Sequence, residues 1–302
     1  MSNPLTVVGL GEALWDVLPG GKVLGGAPLN VACHVHNLLG AVGGESVVAG
    51  RVGIDPLGDE VVRDLSRRGM TADCVQRDTD HPTSTVNVTL AGGQPSYTFT
   101  DDIAWDHLEL TPEWAELARR CNAVCFGTLA QRSPKSRRVI WEFLDAAPQA
   151  LRLFDVNLRQ SFFDRESIVE GCRRATIVKL NDEELDTIAR MFDLPAGTQH
   201  DRLARLRDRL KLEAVVFTRG KRGTLVVHRD GVEDPAPLDY PPAANADSVG
   251  AGDACSAGII AGWLLGWSPA RTAKLANCLG AYVASQPGAT PELPPEIISQ
   301  VG

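Results

Sequence analysis

The sequence predicts a three-layer α/β/α domain with a mostly parallel central sheet and a small β flap. From residue 123 onward, short apolar runs alternate with helical stretches, the order expected of a parallel sheet covered by helices on both faces. Residues 83–90 instead alternate polar and apolar side chains, which indicates a strand with one solvated face. The 302 residues, 44% of them hydrophobic, suffice for a large core and contain no repeat or linker. We therefore predict a single domain over residues 1–302.

The N-terminal elements follow from apolar runs that end in glycine. Such runs predict a buried first strand over 5–10 and another strand over 46–52. Helical spacing predicts helices over 30–39 and 59–68, closed by a glycine at 40 and at 69. Residues 83–90 and 97–100, on either side of Gly92-Gly93, are expected to form a hairpin.

The rest of the chain reads as alternating strands and helices. Short apolar runs predict strands over 123–126, 152–154, 177–179, 215–218 and 224–227. The helices predicted between and after them are 135–146, 166–175, 183–191, 202–212, 252–266 and 269–285.

Composition excludes several classes of function. A net charge of −8 without a basic block disfavours nucleic acid as a partner, and no apolar run reaches membrane-spanning length. The first four residues carry no signal segment, and the seven cysteines are scattered without a Cys-x-x-Cys motif. These features indicate a cytoplasmic protein with reduced thiols. His34, His36 and His107 form no metal-ligand pattern along the sequence.

Small residues at 247–253 run directly into a predicted helix as Asp-Ser-Val-Gly-Ala-Gly-Asp. A helix N-terminus attracts anions, and Gly250, Ala251 and Gly252 can direct backbone N–H groups at a phosphate without obstruction. Asp253 would lie in the first turn, where its carboxylate could accept a proton from a hydroxyl group that attacks the phosphate. The alternative is a tight turn with capping aspartates.

A second glycine motif, Gly-Gly-Ala-Pro-Leu-Asn at 25–30, favours the phosphate interpretation. Together the two motifs resemble the paired signatures of the ribokinase-like sugar kinases, the phosphofructokinase B family, and the second is most similar to the fructokinase branch. The order of motifs matches from Gly9 to about Thr290. The resemblance implies a ribokinase-like fold, with the flap, formed by segments near 12–25 and 83–105, acting as a lid over the sugar.

The resemblance also implies an ATP-dependent kinase that transfers the γ-phosphoryl group to a primary hydroxyl of a sugar, fructose first. Asp253 would be the catalytic base, and the 250–252 amides would stabilise the transferring group. Other acceptors stay open, namely ribose, 2-keto-3-deoxygluconate and a nucleoside, as does a non-catalytic sugar-binding regulator. Because relatives often pair through their lids, the resemblance also leaves a homodimer open.

Other phosphate-binding signatures are missing. Gly9-Leu10-Gly11 has Leu14 where a dinucleotide fingerprint needs its third glycine, and Gly220-Lys221-Arg222 lacks the hydroxyl residue of a Walker A motif.

The resemblance assigns sugar contacts near both motifs. Asp16 and Asn30 would bind sugar hydroxyls, while Gly25 and Gly26 would let the backbone approach the sugar. The alternatives are a turn aspartate and a helix-start asparagine.

Polar residues after the strand at 152–154 are further candidates for the ligand crevice. Asn157 and Arg159 match the family's Asp-x-Asn-x-Arg segment and would contact sugar or phosphate. A structural ion pair between Asp155 and Arg159 is the alternative.

Asn181 and Glu184 match the family's Asn-x-x-Glu segment, which implies that they hold Mg²⁺ mainly through water, since Mg²⁺ prefers oxygen ligands. The alternative is a helix capping box, and both interpretations can hold at once.

The resemblance implies that the nucleotide binds near Thr218, Gly220 and Gly223, with Asn277 beside the adenine. The alternatives are a plain hairpin turn at 218–223 and polar packing of Asn277 in the core. Asp247 stands where the family has a monovalent-cation site. Val249 replaces the family's common threonine there, so K⁺ is left open.

Overall fold

The computed structural model describes residues 4–18, 21–91 and 94–302. Two sheets organise this part of the chain, one with nine strands and one with four. The predicted hairpin turn at Gly92 and Gly93 lies outside the described residues.

The nine-stranded sheet has the order β13-β12-β11-β10-β9-β8-β1-β4-β5. Its strands are β1 Thr6–Leu10, β4 Glu45–Gly53, β5 Val75–Asp78, β8 Ala123–Gly127, β9 Leu151–Asp155, β10 Ile177–Asn181, β11 Ala214–Thr218, β12 Thr224–His228 and β13 Gly231–Glu233. All neighbours pair in parallel except at one edge, where β12 runs antiparallel to both β11 and β13. The carboxyl ends of every strand except β12 therefore meet at one edge of the sheet, where a ligand crevice forms in folds of this class.

Helices cover both faces of this sheet. They are α1 Ala27–Leu39, α2 Pro56–Arg67, α3 Pro112–Arg120, α4 Pro134–Asp145, α5 Arg165–Arg174, α6 Asp182–Met191, α7 Gln199–Leu210, α8 Ala251–Leu264, α9 Pro269–Val283 and α10 Pro295–Ile298. Successive side chains of a strand point to opposite faces, so Val8 packs in the core of α3–α7 while Val7 packs in that of α1, α8 and α9. The predicted three-layer architecture is confirmed.

The smaller sheet contains β2 Leu14–Leu18, β3 Gly21–Gly25, β6 Ser84–Ala91 and β7 Gln94–Phe99 in the order β3-β2-β6-β7. β2 pairs with β6 in parallel, and the other two pairs are antiparallel. Its strands come from the two segments predicted to form the lid. The division of the chain into a single domain with this lid stays a prediction.

Several boundaries differ from the sequence-based expectations for local reasons. α1 begins at Ala27 rather than at 30, because Gly26 precedes it with φ 109° and proline stands in its first turn. α2 begins at Pro56, where the Asp55 side chain accepts a hydrogen bond from the Gly58 N–H as its cap. Sequence reasoning missed the short elements β5, β13 and α10, and also the nine-residue helix α3. Among the described residues, no helix has the length and apolar character needed to cross a membrane.

Candidate active site

The polar motifs converge at the carboxyl edge of the parallel sheet. Glu12 follows β1, Asp155 ends β9, Asn181 ends β10 and Thr218 ends β11. The turn at 250–253 opens α8 beside them, and α8 packs against α1. The fold thus gathers residues that are far apart in sequence around one crevice.

Asp253 lies in the first turn of α8 and meets Asn30 from α1. The Asn30 Nδ2 atom donates to Asp253 Oδ2 over 2.8 Å, joining the two glycine motifs across 223 positions of sequence. Burial raises the pKa of Asp253 to about 7, helped by the nearby Asp155 carboxylate and opposed by the hydrogen bond from Asn30. A carboxyl group with a pKa near the working pH suits a general base.

The backbone of the 250–252 turn is fixed by close packing. Gly250 caps α8 in the left-handed region with φ 76°, and a Cβ there would overlap the Ala289 carbonyl oxygen and lie 2.6 Å from Ala289 Cα. The buried His34 ring donates from Nε2 to that same carbonyl oxygen over 3.0 Å. Burial lowers the pKa of His34 to about 4, so the ring is neutral. α1 therefore holds the segment against which the turn rests.

A buried ion pair lies beneath this turn. Lys179 Nζ donates to both carboxylate oxygens of Asp155, at 2.9 and 2.8 Å, and Ser256 Oγ donates to Asp155 over 3.1 Å. A Cβ on Gly252 would lie 3.3 Å from Lys179 Nζ, so the ammonium group closely underlies the turn. The expected alternative of an ion pair between Asp155 and Arg159 is wrong, because the cation that pairs with Asp155 is Lys179.

Glu12 lies in the candidate site and was missed by the sequence analysis. Its Oε1 atom accepts from the Ala27 N–H over 3.3 Å, while Oε2 is buried and, like Asn30 Oδ1, has no hydrogen-bond partner within the described part of the chain. Burial raises the pKa of Glu12 to about 7, with a further contribution from the charge of Asp253. Buried polar atoms without partners mark a place where a ligand can supply them. The glutamate directly after β1 was the available signal.

Asp16 in β2 lies next to Gly25 in the neighbouring strand β3. A Cβ on Gly25 would lie 2.7 Å from Asp16 Oδ2, so a larger residue there would displace the carboxylate from its present position. Gly26 is more strongly constrained, because it has φ 109° and its Cβ would lie 3.1 Å from the Glu12 carbonyl carbon, a backbone atom. Burial raises the pKa of Asp16 to about 6, while the charge of Arg159 opposes that rise.

Arg159 connects these acidic groups electrostatically. It is exposed on the loop after β9, and its charge lowers the pKa values of Glu12, Asp16 and Asp253 alike. Asn157, two residues earlier, has φ 38°, and Thr128 Oγ1 donates to its carbonyl oxygen over 3.3 Å. Arg159 therefore lies close enough to Glu12, Asp16 and Asp253 for its charge to influence all three carboxyl groups.

Asn181 and Glu184 form the capping box of α6. Asn181 Oδ1 accepts from the Glu184 N–H, and Glu184 Oε2 accepts from the Asn181 N–H, each over 2.9 Å. Glu184 Oε1 accepts from the Leu158 N–H over 2.8 Å, which ties α6 to the loop after β9. Burial raises the pKa of Glu184. Each carboxylate oxygen keeps a second lone pair that can receive a hydrogen bond from a water molecule.

The predicted nucleotide residues surround the β11–β12 turn. Gly220 has φ 55° with open space around it, whereas a Cβ on Gly223 would lie 2.9 Å from Asn277 Nδ2. Asn277 Oδ1 accepts from the Thr224 N–H over 2.6 Å, and its Nδ2 donates to the Pro235 carbonyl over 3.2 Å. The Asn277 amide thus holds two backbone segments in place, as the polar-packing alternative expects, and its role beside adenine stays a prediction.

Asp247 joins two loops next to the glycine turn. Its carboxylate oxygens accept from the Val249 N–H over 2.9 Å and from the Gly288 N–H over 3.0 Å. This pairing places the 243–250 and 285–289 segments side by side. A monovalent cation at this position stays a prediction.

Comparison with known proteins gives a consistent result along the chain. The model of the pfkB family of carbohydrate kinases matches residues 16–296. The chain is 32% identical to the fructokinase of Escherichia coli over 317 aligned residues, and 31% identical to that of Salmonella typhimurium over 307. Both alignments cover 94% of this chain and 95% of the relative.

The fold is also similar to solved structures. One is a double mutant of the fructokinase from Vibrio cholerae O395 with bound fructose, ADP and potassium ion. It superposes with a TM-score of 0.80 at 23% identity, covering 100% of this chain and 99% of that one.

Proposed function

Since the chain belongs to the pfkB family of carbohydrate kinases, we propose that it transfers the γ-phosphoryl group of ATP to the primary hydroxyl of fructose, giving fructose 6-phosphate. The enzyme is an ATP-dependent sugar kinase. The choice of fructose is supported by the two enterobacterial relatives, which are fructokinases, and by the Gly-Gly-Ala-Pro motif at 25–28.

The observation that carries the proposed chemistry is the Asp253 carboxylate at the N-terminus of α8. Its Oδ2 atom is fixed by Asn30, while burial keeps its pKa near 7. In the carboxylate form it would accept the proton of the sugar hydroxyl as that oxygen attacks the γ-phosphorus. Asn30 would serve as a positioning group for both Asp253 and the sugar.

Negative charge on the transferring phosphoryl group would be stabilised by backbone N–H dipoles at the start of α8 and by nearby cations. The N–H groups of Gly250 and Gly252 would be directed at the phosphoryl group, because N–H groups at the start of a helix have no partner inside it. The Ala251 N–H donates to the Ser248 carbonyl oxygen over 3.3 Å and would contribute as part of the helix dipole. Lys179 lies directly beneath the turn as a buried cation. Arg159, exposed on the loop after β9, adds a positive charge that acts on Asp253. Such preorganised groups stabilise developing charge without having to reorient.

The sugar would lie between the large sheet and the smaller one. Asp16 and the unpartnered oxygens of Glu12 and Asn30 offer acceptors for its hydroxyl groups. Closure of the smaller sheet as a lid would exclude water, which otherwise competes as an acceptor of the phosphoryl group.

We propose that Mg²⁺ is held near Asn181 and Glu184 through water. The donor set fits this role because both Glu184 oxygens already accept one backbone N–H each and retain a lone pair for water. When bound, Mg²⁺ supplies neutralisation of the nucleotide phosphate charge. The nucleotide itself would lie along Thr218, Gly220 and Gly223, bordered by Asn277.

Three further proposals concern the surroundings of the site. Asp247, already hydrogen-bonded to both flanking loops, would support a K⁺ site there. The outer strands β3 and β7 of the smaller sheet would allow two copies to pair through their lids. We also propose a cytoplasmic location, supported by the need for ATP and by seven cysteines that are all free.

The proposal is tested by measuring kcat/KM for ADP release from MgATP with fructose, ribose, glucose, 2-keto-3-deoxygluconate and adenosine, with and without K⁺. We expect fructose to exceed every other acceptor by at least about tenfold, which corresponds to about 1.4 kcal/mol of discrimination. A different preferred acceptor would retain the mechanism and replace the substrate. Sugar binding without turnover for any acceptor would instead indicate the regulator.

A further inference from the structure

Three side chains converge where the β6–β7 hairpin joins the rest of the molecule. His81 precedes β6, and Asp102 and His107 follow β7; we call these three residues the hairpin-root cluster. One ligand atom from each lies within 4.8 Å of the other two. His107 Nε2 is 2.8 Å and His81 Nε2 is 3.7 Å from the same oxygen, Asp102 Oδ1.

A second carboxylate fixes the tautomer of His81. The ring nitrogen Nδ1 lies 3.1 Å from both carboxylate oxygens of Asp78, which can only accept, so Nδ1 carries the proton. Asp78 is itself buried and paired with Arg51 over 2.7 Å. A metal-ligating histidine is commonly oriented in this way by a carboxylate on its other nitrogen.

This tautomer leaves two acceptors facing each other. With its proton on Nδ1, the His81 ring presents the lone pair of Nε2, and Nε2 lies 3.7 Å from the acceptor oxygen Oδ1 of Asp102. A metal ion bound between these two atoms would receive an electron pair from each. Two imidazoles and one carboxylate form a donor set that suits Zn²⁺ and similar transition metals, whereas Mg²⁺ and Ca²⁺ prefer oxygen ligands alone.

The cluster is accessible to an incoming ion. The Asp102 side chain is 77% exposed, and Asp102 and His107 line a cavity of about 520 Å³. The two imidazole rings stack with 3.5 Å between centroids and 15° between planes, so shared coordination requires one ring to turn out of the stack. The cavity gives His107 room for that rotation and leaves coordination positions open to water.

We propose that the hairpin-root cluster binds one divalent transition-metal ion, with Zn²⁺ as the best match. The ligands would be His81 Nε2, His107 Nε2 and a carboxylate oxygen of Asp102. The ion would link His81, which precedes β6, to Asp102 and His107, which follow β7. It would therefore hold the two ends of the hairpin together. This site is separate from the crevice that holds Asp253.

The test uses tag-free, chelator-washed full-length protein without nucleotide, titrated with Zn²⁺ in a calorimeter and with Co²⁺ in a spectrophotometer. We expect one ion per chain, visible Co²⁺ bands of a four- or five-coordinate site, and a higher Tm with Zn²⁺. Asp102→Asn and His107→Asn should each weaken Zn²⁺ binding by at least about tenfold. Asp102 has φ 53°, which asparagine tolerates, so the first variant is expected to fold normally.

A matched control is His200→Asn, which removes an exposed histidine outside the cluster and should leave the affinity unchanged. Absence of binding at up to about 100 μM Zn²⁺ would overturn the proposal, because structural sites of this kind bind far more tightly. Equal affinity in the two cluster variants and the native protein would overturn it as well, by placing the ion elsewhere.

Discussion

Replacement of Gly250 by alanine tests whether the geometry of the glycine turn supports catalysis. The left-handed backbone at φ 76° costs an alanine about 1–2 kcal/mol. The new Cβ would also overlap the Ala289 carbonyl group, whose oxygen is held by His34. With Ala289 Cα 2.6 Å away, the turn must move by roughly 1 Å, and a displacement of that size costs about 10²-fold in rate. We expect kcat to fall by about that factor.

Gly266→Ala is the matched control for this experiment. Gly266 has φ 67°, similar to Gly250, but a Cβ there would meet nothing within 4 Å. It should therefore lose about 1–2 kcal/mol of unfolding free energy in a urea titration and retain native kcat. The reasoning is refuted if Gly250→Ala keeps a kcat within about twofold of the Gly266→Ala value, since the clash would then leave the turn in place.

Three further predictions concern the ionisable side chains Asp253, Lys179 and Glu12. The proposed role of Asp253 as a general base requires its carboxylate form, so kcat/KM for the sugar should rise about tenfold per pH unit up to pH about 7 and then level off; a flat profile from pH 5 to 8 would contradict this. Folding raises this pKa from 3.8, so the group's contribution to stability is complete at low pH and is lost as pH rises through about 7. Lys179→Met should lower the unfolding free energy by about 3–5 kcal/mol in urea, because it leaves Asp155 buried and unpaired, and adding Asp155→Leu should recover most of that loss. Glu12→Gln should keep the KM for sugar within a few-fold, while Glu12→Ala should raise it by more than about tenfold, since only glutamine can still accept from the Ala27 N–H.

Periodic features of the sequence were sufficient to predict the architecture. The buried strands of the parallel sheet and the helices between them follow from apolar spacing, and their positions agree with β8–β12 and α4–α9 to within a few residues. The short strand β5 and the helix α3 escaped prediction. β5 is only four residues long with two buried positions, and α3 is a nine-residue helix with three buried side chains. Such short patterns carry little periodic signal.

The site was predictable where local motifs determine it. The motifs at 25–30 and 247–253 indicated Asn30 and Asp253, yet nothing in the sequence shows that these two side chains are hydrogen-bonded. Their short separation along the chain suggested an ion pair between Asp155 and Arg159. The parallel pairing of β9 with β10 instead places Lys179 beside Asp155. Register between strands, rather than separation in sequence, decides such contacts.

The histidines show the same limitation. His107 lacks a metal-ligand pattern in the sequence because its partner His81 lies on the other side of the hairpin. Only the antiparallel pairing of β6 with β7 brings the two rings together.

The most direct test of Asp253 as the base compares native enzyme with Asp253→Asn, using fructose and MgATP. Turnover is measured by ADP release, and fructose binding by calorimetry. We expect kcat to fall by about 10²–10⁴-fold while the Kd for fructose changes by less than about fivefold, because asparagine keeps the shape and loses the basicity. A kcat within about tenfold of the native value would contradict the assignment of Asp253 as the group that accepts the sugar proton.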